Sequence, residues 1–193
     1  MINPQNSIAQ IIFKNISFSK EDVDFVNAKF ERIFLKKGDF LLYPNVKATN
    51  QYYVLNGCLR SFFVNSLGKD HTTQFAIEDW WISDYTSFFT SEKSVMSIEC
   101  LQDAEIYKLT REDMNVLCET FPKIEHFFRA KMEKAFAAFQ KRILDYLSLT
   151  AAERYLGFLK DYPQIVQCVK NYHIASYLGI TTESLSRIRK SIL

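Results

Sequence analysis

Between Pro122 and Ser148 the chain has no glycine and no second proline, while Ile124, Phe128, Met132, Ala135, Phe139, Ile143 and Tyr146 recur every three or four positions. That spacing marks one apolar face of a helix, and Pro122 suits a first helical turn. A helix of about 26 residues is roughly 39 Å long. It is longer than covering one face of a small sheet requires. Two arrangements fit: a helix packed on its own domain, or a coiled-coil-like seam between two copies flanked by Lys131, Lys134, Lys141 and Arg142. Because the stripe persists along the whole length, the seam is favoured, with Phe128, Met132, Ala135, Phe139 and Tyr146 facing the partner.

Ahead of this helix the period is different. A short helix is expected over 19–29, opened by Ser19 with Asp22 three residues on and continued by Val23, Val26 and Phe30. Apolar residues then fall in short runs: Ile33 and Leu35, Phe40 and Leu42, Tyr53 and Leu55, Leu59 and Phe63, Phe75 and Ile77, and a loosely alternating run from Ser97 to Leu109. Turn signals separate them: KKGD at 36–39, Asn56-Gly57 and SLGKD at 66–70. Asn-Gly favours the primed turns of hairpins. Short strands with tight turns over about 80 residues indicate a sandwich or small barrel, and a jelly roll fits best. The 17 Phe and 10 Tyr supply enough apolar surface to exclude a disordered chain.

Beyond Ser148 a capping box, Thr150 to Glu153, opens a helix that runs to about Lys160 and stops at Asp161-Tyr162-Pro163. The last segment reads as helix, tight turn, helix. Ile174, Ala175 and Leu178 share a face, Gly179 supplies a left-handed turn, and Thr181 caps the next helix. Leu185, Ile188 and Ile192 form the buried stripe of that helix, and Ala175 is small enough for close crossing. The opposite face holds Glu183, Ser186, Arg187 and Lys190, with Thr182 and Ser184 at its rims. An arginine there can pair bidentately with guanine and a glutamate can accept from cytosine in the major groove of duplex DNA. Arg189 falls nearer the buried side, where a phosphate or a neighbouring carboxylate is its expected partner. Charge agrees: residues 1–121 carry 12 Lys and Arg against 16 Asp and Glu, residues 122–193 carry 12 against 6.

The run Ala175-x-x-Leu178-Gly179-Ile180-Thr181-x-Glu183-Ser184-Leu185-Ser186-Arg187 resembles the helix-turn-helix of the Crp/Fnr family of bacterial transcription regulators, and is similar to that of short members found in Bacteroidetes. The resemblance extends over nearly the whole chain. It implies an α+β fold: a cyclic-nucleotide-binding-like jelly roll over 1–121, a dimerisation helix over 122–148 and an all-α helix-turn-helix domain over 149–193. It further implies a homodimer reading two half-sites, RNA polymerase as a further partner, and Glu183 and Arg187 at the base-contacting positions. Thr182 stands where many members have arginine, so the half-site need not be the family's usual one. The short connection 161–171 implies a reduced or missing winged hairpin.

In members that bind cyclic nucleotides, a Gly-Glu pair and a later Arg-Ser hold the ribose and phosphate. Here Ser83-Asp84 and Lys93-Ser94 stand in the matching stretch, as a possible effector pocket. Asp84 can still hold a hydroxyl, but serine lacks the close backbone approach of glycine, and lysine offers only a point charge. Trp80, Trp81, Phe88 and Phe89 would fill or line the cavity with rings. An effector other than cyclic AMP, or none, is expected. Haem is not supported, since His71, His126 and His173 lie far apart. Cys58, Cys100, Cys118 and Cys168 show no metal-ligand spacing and read as reduced, mostly buried thiols, with no zinc or iron–sulfur cluster and no other cofactor expected. No apolar run reaches the roughly 20 residues of a membrane span, and MINPQNSIAQ lacks a signal-peptide layout, so a cytoplasmic protein is expected. Two other functions compete with duplex DNA binding. One is a ligand-sensing or scaffold module whose C-terminal helices bind a protein. The other, a cupin-like metalloenzyme, is disfavoured because the strand region holds only His71.

Overall fold

The computed structural model describes residues 7–192. Two short helices come first, α1 (Ile8–Ile12) and α2 (Lys20–Asn27), each opened by a capping box: Ser7 with Gln10, and Ser19 with Asp22. Six antiparallel strands follow: β1 (Glu31–Leu35), β2 (Phe40–Leu42), β3 (Asn50–Val64), β4 (Asp70–Ala76), β5 (Trp81–Ile82) and β6 (Ser97–Thr110), with helix α3 (Tyr85–Thr90) between the last two. Strands β3 and β6 pair along nearly their whole lengths. On this spine β1 and β2 each take part of the free side of β6, and β4 and β5 each take part of the free side of β3. The sheet thus curls into a roll around Leu35, Val54, Leu59, Ile82, Phe88, Ile98 and Ile106.

Asn56-Gly57, expected to turn a hairpin, lies inside β3. Asn56 pairs with Glu105 but Cys58 with Gln102, so the chain bulges here instead of reversing. Gly57 has φ +97°, and a Cβ on it would meet the Ala104 Cβ at 2.5 Å and the Asp103 carbonyl at 2.6 Å. The turn expected at SLGKD does form, with Gly68 at φ +76° between β3 and β4. Phe40 and Phe63, counted among the apolar strand residues, are exposed.

After β6 the chain is helical to the end of the described residues: α4 (Arg111–Thr120), α5 (Pro122–Ser148), α6 (Ala151–Asp161), α7 (Pro163–Cys168), α8 (Asn171–Leu178) and α9 (Thr182–Ile192). Thr150 and Glu153 form the expected capping box of α6. Helix α5 divides in two. Its first turns belong to the roll's outer core, where Ile124 and Phe128 pack with Phe13, Trp81 and Leu117. Phe128 is 7% exposed and meets Phe13 and Trp81 edge to face, so it is not available to a seam. Beyond Met132, which is half-buried, the apolar side chains of α5 are open: Phe136 is 69% exposed, Phe139 58% and Leu147 75%.

Roll and C-terminal helices share one core. Cys58, Phe75, Ile77 and Leu101 of the sheet pack with Tyr155, Phe158, Ile165, Ile174, Ala175 and Leu185 of the helices. Strand β4 lies at the sheet edge and exposes a row of unpaired backbone groups. Ser176 of α8 takes two of them: the Thr72 N–H donates to its hydroxyl at 2.9 Å, and the hydroxyl donates to the Asp70 carbonyl at 3.0 Å. Arg142 of α5 takes more. Its guanidinium donates to the carbonyls of Thr73 and Thr72 and, at 2.9 Å, to that of Tyr177, while lying 3.9 Å from the Tyr177 ring centre. Arg142, expected to flank a seam, is therefore a clamp joining α5, β4 and α8. His173, buried on α8, has its imidazole held down at about 4 by burial first and then by the Arg60 guanidinium, with Asp70 pulling the other way.

Gly57→Ala should lose about 2–6 kcal/mol, backbone strain adding to a clash with fixed atoms. Gly179→Ala, whose Cβ would meet only the Tyr146 ring at 2.8 Å, should lose about 1–3 kcal/mol. Urea unfolding of both variants checks the order. For His173, the folded value lies below the ordinary 6.5, so its stabilising neutrality is complete above that pH and is lost as pH falls towards 4. Wild type should therefore lose up to about 3 kcal/mol more across this window than His173→Gln, read from urea midpoints at each pH. Parallel pH profiles would show that His173 carries no such linkage.

Candidate nucleic-acid interface

The turn between α8 and α9 follows from its residues. Gly179 adopts φ 70° and ψ 30°, which an L side chain adopts only with strain. The Gly179 N–H donates to the Ser176 carbonyl at 3.2 Å and the Ile180 N–H to the Ala175 carbonyl at 3.0 Å, closing a Schellman motif. The Thr181 hydroxyl then accepts from the Ser184 N–H at 3.1 Å and starts α9. Ala175 and Leu185 are each 1% exposed, so the two helices cross on small and branched side chains. Ile188 packs partly into the same core. Ile192, expected as the third buried residue, is instead exposed, because the core ends one turn earlier. Arg154 of α6 braces the unit by donating to the Leu149 carbonyl at 2.7 Å, with its guanidinium 5.0 Å from the Tyr146 ring centre.

With Leu185 turned inward, α9 presents Thr182, Glu183, Ser186, Arg187 and Lys190 to solvent, and Ser184 at the margin. Arg187 approaches the Ser184 hydroxyl at 3.4 Å and is otherwise extended from the surface. The Glu183 carboxyl is held below its usual range, first by its own backbone N–H at the start of α9, then by Thr181, with Arg187 one turn away adding to the effect. The outer face thus offers a carboxylate acceptor one turn from a cationic fork. Arg189 differs from its expected role. Its guanidinium donates to the Asn171 side-chain oxygen at 2.7 Å, an amide rather than a phosphate or carboxylate, and so ties α9 to the start of α8. Among the described residues no strand follows β6, and the short connection before α8 is occupied by α7.

The positions expected to form an effector pocket are inside the fold. Ser83, Asp84 and Ser94 are buried, and Lys93 alone is exposed. Asp84 caps α3: one carboxylate oxygen accepts from the N–H groups of Thr86 and Ser87 at 3.0 and 3.3 Å, the other from the Ser94 hydroxyl at 2.7 Å. Ser83 donates to the Asn50 carbonyl at 2.7 Å. Both oxygens of Asp84, expected to hold a ligand hydroxyl, thus serve the chain itself. The adjoining cavity, lined by Leu42, Lys47, Asn50, Tyr52, Ser83 and Ile98, measures about 190 Å³. That falls short of the roughly 300–1,000 Å³ of ordinary ligand pockets. Of the four rings expected to fill it, Phe88 lies in the roll interior. Trp81 faces the outer core, Trp80 packs on Tyr162 and Phe89 is largely exposed, stacked on Tyr85. Strand β5 directs Trp81 outwards, away from Phe88.

Sequence reasoning missed Phe136, Leu144 and Leu147 on the open part of α5, although all three are exposed. Heptad counting could have found the first of them: Met132, Phe136, Phe139, Ile143 and Tyr146 follow one another by four, three, four and three.

Residues 32–121 match the family described as cyclic nucleotide-binding domain. The transcriptional activator protein Anr of Pseudomonas aeruginosa is 23% identical over 185 residues, covering 90% of this chain and 75% of the relative. Among solved structures, the c-di-GMP responsive global regulator CLP of Xanthomonas campestris superposes with a TM-score of 0.72 at 14% identity, over 88% of this chain and 89% of that one. A transcriptional regulator of the CRP/FNR family from Thermus thermophilus superposes with a TM-score of 0.67 at 16% identity, over 84% and 85% of the two chains. These relatives are transcription regulators rather than enzymes. The chain is thus similar over most of its length to Crp/Fnr-type transcription regulators, with a roll that matches the cyclic nucleotide-binding domain family joined to a C-terminal helix-turn-helix.

Proposed function

We propose that this chain is a sequence-specific DNA-binding regulator that acts as a homodimer, each copy laying α9 in the major groove of one half-site. The observation that carries the reading is the division of α9. Leu185 is locked against α8, and Glu183, Ser186, Arg187 and Lys190 stand free on the opposite face. Recognition helices use that outer, N-terminal face for base edges. Arg187 suits a guanine, Glu183 a cytosine amino group, Thr182 and Ser184 the groove rims, and Lys190 a phosphate. Arg189 acts indirectly, by holding α9 to Asn171.

The open half of α5 supports the dimer. Its heptad-spaced apolar residues would pair with their own copies across a two-fold axis, as a two-stranded seam does. On this reading residues 1–121 sense, 122–148 dimerise and 149–193 read DNA. The burial of Asp84 and the three hydrogen bonds it accepts within the chain argue against a cyclic nucleotide held through that carboxylate. Among the described residues no helix is long and apolar enough to cross a membrane, which is compatible with a cytoplasmic regulator meeting RNA polymerase on DNA.

Binding to random duplex pools should select a two-fold site. On that site Arg187→Ala should cost about 1–3 kcal/mol and relax one base position, while Lys190→Ala should weaken all sequences alike. Affinity should also fall steeply with salt. Unchanged affinity and preference in Arg187→Ala would remove Arg187 from the reading face, and a flat salt response would favour a protein partner for these helices. For the seam, Phe139→Glu should sediment as a monomer where wild type is a dimer; a dimer that persists would place the interface elsewhere.

A further inference from the structure

Gly157 sits in the middle of α6, where glycine costs helix stability relative to alanine. Crowding does not require it, since a Cβ there would meet no atom within 4 Å. It lines a half-open cleft of about 510 Å³ between α5, α6, α8 and β4. That volume lies within the roughly 300–1,000 Å³ of ordinary ligand pockets. Phe139 and Tyr146 of α5, Phe158 of α6 and Tyr177 of α8 make its wall mostly apolar. Arg142 and Arg154 supply a cationic part. Every hydrogen bond these two guanidiniums donate ends on a backbone carbonyl: Thr72, Thr73 and Tyr177 for Arg142, Leu149 and Leu178 for Arg154. Neither forms an ion pair among the described residues, whereas the buried Arg60 has both Asp70 and Glu99. A guanidinium carries five N–H donors, so neither is saturated, and the Arg154 Nε is buried without a partner. The carboxylates of the cleft are engaged elsewhere: Asp145 and Asp161 with Lys141, and Glu153 with the Thr150 N–H at the start of α6.

We propose that the cleft binds an apolar organic acid, a monocarboxylate with an aliphatic or aromatic body. The carboxylate takes guanidinium donors that the carbonyls leave free, and the body lies against the rings in the space that Gly157 keeps open. Charge and shape select this class. A carboxylate matches the planar fork of an arginine, and a cation away from water is best met by a paired anion. The ring-lined wall favours an apolar body that gains by leaving water, and disfavours a strongly hydrated polyanion. A bound acid would touch α5, α6 and α8 at once, and so stiffen the junction between the roll and the helix-turn-helix. The site does not rest on the DNA-binding reading and is tested without DNA.

The full chain is titrated by calorimetry with decanoate below its micelle-forming concentration, with hydrocinnamate, and with decanol as the uncharged control. Expected is saturable binding of at least one acid, one per chain and at least tenfold tighter than decanol, the better acid telling an aliphatic source from an aromatic one. Gly157→Leu, which fills the cleft without removing either arginine, should weaken that binding at least tenfold. Lys47→Ala, beside the smaller cavity of the roll, should leave it unchanged, with circular dichroism showing both variants folded. Photolysis of a diazirine-bearing form of the better acid on wild type, followed by peptide mapping, should label α5 and α6, and it decides alone should Gly157→Leu fail to fold. Failure of both acids to bind, decanol binding as well as decanoate, undiminished binding in Gly157→Leu, or labels confined to the roll would each overturn the proposal. A wild-type dimer that Gly157→Leu dissociates, with no acid bound, would overturn it too and give the cleft to a second copy.

Discussion

The structure depends on what covers the outer edge of β4. An edge strand with open N–H and C=O groups is a template for unwanted pairing, and when it is buried each unsatisfied group costs about 1–3 kcal/mol. Here the edge is buried by the C-terminal helices, so its groups need partners from them. Ser176 bridges Thr72 and Asp70, and Arg142 reaches the carbonyls of Thr72 and Thr73. Neither is a general adhesive. Ser176 both accepts and donates, matching the alternation of a strand edge, and the planar guanidinium spans several carbonyls at once. A buried cation held without a carboxylate relies on those carbonyls and on the face of Tyr177 for its solvation. The apolar contacts of Phe75 with Phe158 and Tyr177 then follow from the docking that these hydrogen bonds specify.

That dependence explains which parts of the fold were legible in the sequence. Elements announced by local chemistry were readable: the capped start of α6 at Thr150 and Glu153, the uninterrupted α5, and the turn at Gly179 with Thr181 behind it. Each signal lies within a few residues of what it specifies. The outward placement of Glu183, Ser186, Arg187 and Lys190 is of this kind, since one buried residue, Leu185, sets the rotation of a short helix. Features that depend on distant partners were not readable. Asn56-Gly57 carries the signature of a hairpin, but Ala104 and Asp103 across the sheet make it a bulge. Phe128 continues the apolar stripe of α5, yet α1 and β5 claim it for their own core. Arg142 looked like a solvated flank and Arg189 like a partner for a phosphate or a neighbouring carboxylate, because neither β4 nor Asn171 is near them in sequence.

The effector region shows the same division in the opposite sense. Sequence identified the segment that in cyclic-nucleotide-binding relatives holds a ligand and showed that its residue types had changed. It did not show that the replacements had formed a network of their own. Asp84 and Ser94 hydrogen-bond to each other, Ser87 donates to the Glu92 carbonyl, and Ser87 accepts from the Ala48 N–H. A buried carboxylate is tolerated only when its lone pairs are met, and two N–H groups at a helix start with one hydroxyl meet that need here. The segment around Asp84 is a hydrogen-bonded cassette closed on itself. The loss of Gly and Arg is thus accompanied by a positive structural role for the residues that replaced them.

Helix α5 connects these local facts to regulation. Arg142, which holds β4 and α8, lies directly before Ile143 and one turn after Phe139, which face solvent on the open stripe. On the dimer reading, the face that meets a second copy and the face that clamps the reading unit are neighbours on a single rigid helix. Rotating α5 enough to change the register of the seam would also move the guanidinium away from its carbonyls. Packed interfaces resist such motion continuously and yield in discrete steps. On that reading the distance between the two α9 helices, and with it the half-site spacing a dimer accepts, would be set by the same few residues that dock the reading unit on the roll. A signal need not travel through the closed cassette around Asp84 to reach the DNA. On the same reading it is sufficient that it alters what holds α7 and α8 against the sheet, because sensing, pairing and reading would share that junction.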